Sequence, residues 1–132
     1  MSRLLAFVVA VFGHGLVFGS AVAVDRTCTP DISWSDAPAK IRAQITKAAG
    51  GAVSPQDGPF NSTDVISDAT PQARFFGACR RAELWTIAIE RGGRGYHLQL
   101  FGFSGNTLTD KWTAFVPSGG FTPAILDRPH ER

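Results

Sequence analysis

Residues 85–103 read WTIAIERGGRGYHLQLFGF, and they show the most regular pattern of the chain. Apolar and polar side chains alternate through residues 85–90 and again through 96–103, with the period of two that is typical of half-buried β-strands. The connection between them, residues 91–95, is rich in glycine, which supplies the positive φ angles that tight hairpin turns require. Strands joined by a tight turn run antiparallel. The stretch therefore predicts a β-hairpin within an antiparallel sheet.

The strand pattern continues on both sides of this hairpin. Residues 73–90 read as one long strand that is bent or bulged near Gly77. A turn at Ser104-Gly105-Asn106 leads into a last strand over residues 107–116. Residues 60–68 are a weaker and more polar strand candidate, suited to a sheet edge. The prediction is a meander of three or four antiparallel strands.

One helix precedes the sheet. Apolar residues recur at helical spacing at Ala37, Ile41, Ile45 and Ala48. With Ser35 or Asp36 as the N-cap and Gly50 as the stop, the helix spans about residues 36–49. The predicted class is α+β, with one N-terminal helix packed on a three- to four-stranded antiparallel meander in two layers. This order is similar in outline to the cystatin-like folds, a likeness of topology that carries no function.

The chain begins with the three-part pattern of a cleavable secretion signal. A positive Arg3 is followed by an apolar run, Leu4 to Phe12, and by the small residues Ala21 and Ala23. We predict a signal peptide over 1–23, a single domain over 24–116, an irregular tail over 117–132, and export to the periplasm or the medium. An uncleaved membrane anchor is the less favoured alternative, because a spanning helix needs about 20 apolar residues.

The two cysteines, Cys28 and Cys79, both follow the predicted cleavage site. In an oxidising compartment, such a pair is most simply one disulfide. A bond between them closes a loop of about 50 residues and stabilises the fold by roughly 4 kcal/mol in the chain-entropy model. The spacing matches neither a redox motif nor a zinc site. We therefore predict a structural disulfide and no metal.

The charge is nearly balanced, at +2 for the whole chain, which argues against a nucleic-acid partner. Five arginines form the densest basic feature: Arg74, Arg80, Arg81, Arg91 and Arg94. By strand alternation Arg74 and Arg80 share a face, while Arg91 and Arg94 flank the hairpin loop. Guanidinium groups suit carboxylates and phosphates, so Arg91 and Arg94 are candidate binding residues for a small anion or an acidic partner. The alternative is that these arginines protect strand edges from pairing.

The strand over residues 96–103 is apolar on both sides, with Tyr96, Leu98 and Leu100 on one face and Phe101 and Phe103 on the other. In a two-layer domain the helix covers one sheet face and leaves the other open. Apolar residues on an open face need a cover, from the tail, a partner or a ligand. We take Phe101 and Phe103 as candidate binding residues, with coverage by the tail through Phe121, Ile125 and Leu126 as the alternative.

Catalytic signals are sparse. His97 is the one histidine placed within a predicted strand, and an acidic neighbour is needed to make it a general base. The residues around Ser104 lack the full nucleophile-elbow pattern. These observations favour a small exported, cofactor-free binding or inhibitory module whose partner is a protein or a small anionic ligand. The alternatives are a secreted hydrolase-type enzyme that uses His97 with an acidic neighbour, and a structural component of the cell envelope.

Overall fold

The computed structural model describes residues 32–66 and 69–126. Its helices are the 3₁₀-helix Trp34–Asp36, the α-helix α1 (Ala39–Ala49) and the 3₁₀-helix Pro123–Leu126. Its strands are β1 (Val53–Ser54), β2 (Ala73–Arg81), β3 (Leu84–Arg91), β4 (His97–Ser104) and β5 (Thr107–Ala114). They form one sheet in chain order, parallel between β1 and β2 and antiparallel elsewhere. The α+β class is thus confirmed, but the sheet in the described residues has five strands rather than three or four.

Helix α1 begins later than the sequence predicts. The carboxylate of Asp36 accepts hydrogen bonds from the backbone nitrogen and the hydroxyl of Ser33, at 2.7 and 2.8 Å, and thereby caps the short 3₁₀-helix. The N-cap of α1 is Pro38, so the predicted start at Ser35 or Asp36 is wrong. The other end is confirmed, because Gly50 adopts a left-handed φ of 74° and stops the helix.

Residues 73–90, predicted as one strand, form the two strands β2 and β3. The chain reverses at Ala82, whose φ of 49° is uncommon for a residue with a Cβ atom. The sequence has no glycine or asparagine at this turn, which is why the residue pattern did not predict it. The predicted bulge near Gly77 is confirmed, since the register against β3 shifts between Phe75 and Gly77.

The weak strand predicted over 60–68 is absent from its described part, residues 60–66. Asn61 turns the chain there, because its side-chain oxygen accepts hydrogen bonds from the backbone nitrogen and hydroxyl of Thr63. The edge beside β2 is instead formed by β1, which pairs in parallel with Ala73 and Arg74. A strand of two residues is too short to produce a recognisable alternation.

The two faces of the sheet are covered by different parts of the chain. Helix α1 packs on one face, and its core includes Ile41, Ile45, Phe75, Trp85, Ile87, Ile89, Phe101 and Phe103. The C-terminal segment covers the opposite face, where Phe121, Ile125 and Leu126 pack against Phe76, Leu98 and Leu100. A Cβ atom on Gly77 would lie only 2.3 Å from the Phe121 ring, so the close approach of this segment to β2 requires glycine. We call these the helix face and the tail face.

Several predictions fall outside the described residues: the signal peptide over 1–23, Cys28, and the tail beyond residue 126. Cys79 lies on β2 and is buried, and no cysteine in the described part of the chain is a free thiol. The disulfide between Cys28 and Cys79 stays a prediction. None of the helices among the described residues is long and apolar enough to cross a membrane.

Candidate functional site

The structure places Phe101 and Phe103 in the core beneath helix α1, where they are 1% and 2% exposed. The expectation that they line an open face is therefore wrong. The face opposite the helix presents Leu98 and Leu100 instead, and the C-terminal segment covers those residues. Because both phenylalanines pack against the helix side of the sheet, they have no accessible surface with which to meet a partner.

The arginines do not form one patch. The bulge in β2 inserts one residue between Arg74 and Arg80, so the two side chains leave opposite faces of the sheet rather than sharing one. Arg74 pairs with Glu90 on the tail face, whereas Arg80 lies over the ring of Trp85, 5.4 Å from its centroid, on the helix face.

The two arginines that flank the hairpin loop have different surroundings. Arg91 donates a hydrogen bond from Nη1 to the carbonyl oxygen of Ala49, at 2.7 Å. It thereby provides a partner for a carbonyl group at the C-terminal end of α1, where the helix itself supplies none. Burial lowers the pKa of the Arg91 guanidinium from its usual value. Arg94 is exposed at the tip of the loop. Of this pair, Arg94 is therefore the one whose side chain is presented to solvent.

His97 begins β4 and is half-buried. Its Nδ1 donates to the carbonyl oxygen of Gly95, at 2.6 Å, which fixes the imidazole beside the hairpin loop. The buried carboxylate nearest in sequence, Glu90, pairs across the sheet with Leu98, so its side chain projects from the face opposite to that of His97. Within residues 32–66 and 69–126, no carboxylate is hydrogen-bonded to His97. The hydrolase hypothesis gains no support from these residues and stays an untested prediction.

A shallow apolar depression of about 610 Å³ lies at the end of the β4–β5 pair. Its wall consists of two short runs, Gly95-Tyr96-His97 and Thr113-Ala114-Phe115. Leu98 pairs with Ala114, so the register brings His97 opposite Phe115 just beyond the last paired residues. Phe115 is 94% exposed and Tyr96 is 41% exposed. Both aromatic residues belong to this wall and present much of their surface to water; by strand alternation Phe115 follows His97 onto the helix face, whereas Tyr96 lies with Leu98 on the tail face.

A buried carboxylate accepts a hydrogen bond from Tyr96, one of the residues in the wall of this depression. Glu90 is only 4% exposed, and its Oε2 is 2.5 Å from Nε of Arg74. The hydroxyl of Tyr96 donates a short hydrogen bond to the other oxygen, Oε1. Burial first, and then the hydrogen bond and charge of Glu90, raise the pKa of Tyr96 to about 12. The hydrogen bond to Glu90 also raises the pKa of the Arg74 guanidinium.

A smaller cavity of about 260 Å³ lies at the C-terminal end of α1, beside Gly50, Gly51 and Pro71. Arg91 forms part of its wall, but this arginine is already bound to the helix carbonyl of Ala49. This cavity is therefore a weaker candidate for a binding site than the depression at the end of the β4–β5 pair. No group of three or more potential metal ligands occurs among the described residues.

Sequence reasoning did not identify the residues that carry this site. Tyr96 was placed correctly on the face of Leu98 and Leu100, but its hydroxyl bond to Glu90 depends on the conformation of the hairpin loop. Phe115 lies between Ala114 and Val116, so in a strand its side chain is on the other side from the apolar residues Trp112, Ala114 and Val116. An aromatic residue in such a position, two residues before Pro117, is the signal that could have identified it.

Comparison with known proteins found no relative: no protein-family model, no curated protein and no solved structure matches the chain.

Proposed function

We propose that this chain is a small exported binding module, without cofactor, that recognises an acidic peptide segment carrying an apolar side chain. The binding site is the depression formed by Gly95–His97 and Thr113–Phe115. The observation that carries the proposal is the exposure of Phe115, 94%, beside the partly exposed ring of Tyr96. Export is supported by the secretion pattern of residues 1–23.

The apolar lining favours an apolar occupant. Burial of a phenylalanine-sized side chain is worth about 1.5–3 kcal/mol, because its surface leaves water. The depression, at about 610 Å³, is within the range of small-ligand sites and easily takes one large side chain. Aromatic residues that supply rigid contact area at low entropic cost are also typical anchors of protein interfaces.

The charges around the depression favour an acidic partner. Arg94 is exposed in the loop that leads into its wall, and His97 forms part of the wall itself. Glu90, the carboxylate bonded to Tyr96, is paired with Arg74 and so contributes little net negative charge. An acidic residue next to the docked apolar side chain would meet Arg94, whose guanidinium suits a carboxylate.

The proposal is tested by selection from a random-peptide library on the immobilised mature chain, residues 24–132. We expect one enriched family in which an aromatic or aliphatic residue is flanked by acidic residues. The Phe115→Ser variant should bind the enriched peptide at least about tenfold more weakly, since the loss of a buried aromatic contact costs more than 1.4 kcal/mol.

Leu84→Ser is the matched control. Leu84 is also exposed, at 54%, but it lies at the opposite end of the sheet, where β3 begins. This variant should bind the peptide as the wild type does. A selection without an enriched family, or equal losses in the two variants, would show that the depression is not the recognition site.

A further inference from the structure

Tyr96, in the wall of the depression, belongs to a closed ring of four contacting side chains: Phe60, Arg74, Glu90 and Tyr96. Arg74 pairs with Glu90, and Glu90 accepts the hydrogen bond of Tyr96. The ring of Tyr96 lies 5.9 Å from that of Phe60, at 45°. The guanidinium of Arg74 completes the ring of contacts, because its Cζ lies 4.6 Å from the centroid of the Phe60 ring. We call these residues the Glu90 cluster.

The Glu90 cluster joins four separate segments of the chain. Arg74 lies on β2, Glu90 on β3, Tyr96 in the loop before β4, and Phe60 in the loop after β1. The loop carrying Phe60 is anchored on the hairpin, because the nitrogen of Gly93 donates to the carbonyl oxygen of Ser62. The cluster therefore connects Tyr96, in the wall of the depression, to β2 and β3 of the sheet.

The contacts leave Tyr96 little rotational freedom. The Glu90 carboxylate is buried, and its charge is compensated by Arg74, so the acceptor of the phenol has a fixed position. Phe60 packs on the ring from the side. A tyrosine that is 41% exposed would otherwise sample several rotamers in solution.

We propose that Glu90 and Arg74 are positioning residues for the binding depression: they hold the Tyr96 ring in the one orientation that receives the apolar side chain of the partner. This inference rests on the proposed function. Preorganisation of a contact residue improves affinity because the ordering cost is met before binding. A purely structural ion pair would stabilise the sheet without influencing the affinity of the depression.

The test uses the fact that Tyr96 is the sole tyrosine of the chain. Ultraviolet absorbance titration therefore reports on this phenol alone and needs no ligand. In Glu90→Gln burial still raises the pKa of the phenol, but the charged acceptor is lost, so the pKa should fall part of the way from about 12 toward the ordinary value of 10. An unchanged titration in a folded Glu90→Gln protein would show that Glu90 does not hold the phenol.

The second readout is affinity for the synthetic peptide that the selection enriches most. Tyr96→Phe keeps the aromatic surface and removes only the hydrogen bond to Glu90, and it should weaken binding about fivefold. Glu90→Gln should weaken it similarly, whereas Leu84→Ser should leave it unchanged. Equal affinity of Tyr96→Phe and wild type would overturn the inference even if Glu90→Gln failed to fold.

The two proposals fail in different ways. If the peptide loses affinity for Phe115→Ser but binds Tyr96→Phe as tightly as the wild type, the depression is the site and the positioning role is wrong. If no peptide distinguishes Phe115→Ser from Leu84→Ser, the proposed function itself is wrong, and the positioning role falls with it whatever the titration shows.

Discussion

The hydroxyl of Tyr96 donates a hydrogen bond to Oε1 of Glu90, a carboxylate that the sheet buries almost completely. The second carboxylate oxygen pairs with Arg74. A half-exposed phenol on the surface is thus joined through a buried anion to a partly exposed cation. This arrangement links the stability of the domain, its response to alkaline pH and the shape of the proposed binding site.

The raised pKa of Tyr96 predicts a loss of stability at alkaline pH. A group whose pKa is higher in the folded state stabilises the fold in its protonated form. Its contribution is complete below pH 10 and is lost as the pH rises to about 12. Urea unfolding followed by circular dichroism should show that wild type exceeds Tyr96→Phe in stability below pH 10. That difference should shrink between pH 10 and 12, and a difference that stayed constant would contradict the Tyr96–Glu90 bond.

The ion pair predicts a cost for removing either partner. Arg74→Met leaves the Glu90 carboxylate buried without its cation, and we expect about 2 kcal/mol of destabilisation, because Arg74 itself is partly solvated. Arg81→Met, an arginine at the end of the same strand, is the matched control and should change the free energy of unfolding by less than about 0.5 kcal/mol. Similar losses in the two variants would mean that the pair contributes no special stability.

The contact between Gly77 and Phe121 predicts that the C-terminal segment is part of the folded domain. Gly77→Ala places a methyl group in the space of the Phe121 ring and should destabilise the domain by about 1–3 kcal/mol. Gly102→Ala meets its nearest atom at 3.5 Å and should cost little. The double variant Gly77→Ala with Phe121→Ala should lose less than the sum of the single losses, since both act on one contact. Additive losses would argue that the two residues do not touch.

The burial of Phe101 predicts a core phenotype. Phe101→Ala should destabilise the domain by about 3–5 kcal/mol, whereas Leu84→Ala at an exposed position should change it by about 0.5 kcal/mol or less. Chemical denaturation measures both. A folded Phe101→Ala protein with nearly wild-type stability would contradict its place beneath helix α1.

The predicted disulfide can be tested by reduction. A reductant should lower the unfolding free energy of the wild-type chain over residues 24–132 by roughly 4 kcal/mol. Cys28→Ser should already have this lower stability and should not respond to the reductant. We use Cys28 because Cys79 is buried, so its replacement would also disturb packing. An identical response of wild type and Cys28→Ser to the reductant would exclude the bond.

The alternation of side chains in the sequence predicted the sheet well where strands are regular. Leu98 and Leu100 do face away from Phe101 and Phe103, and the hairpin at 91–95 joins β3 to β4. Alternation does not say which face the helix covers, however. The candidate site was therefore assigned to Phe101 and Phe103, the pair that the helix buries.

Irregular backbone geometry is the second reason why the sequence predicted only part of the structure. One inserted residue in β2 reverses the side-chain faces beyond it, which separates Arg74 from Arg80. The turn at Ala82 has no characteristic turn residue, and β1 is too short to show a period. The Glu90 cluster joins residues from four segments, and neither periodicity nor spacing predicts contacts between segments so distant in sequence.

Mapping the bound peptide with amide chemical shifts is the direct test of whether the depression lined by Tyr96 and Phe115 is the recognition site. NMR spectra of the mature chain would be recorded while the enriched peptide is added. We predict that the largest shifts fall at residues 94–98 and 113–116 and that they disappear in Phe115→Ser. Shifts concentrated instead on the C-terminal segment or near Leu84 would contradict the account.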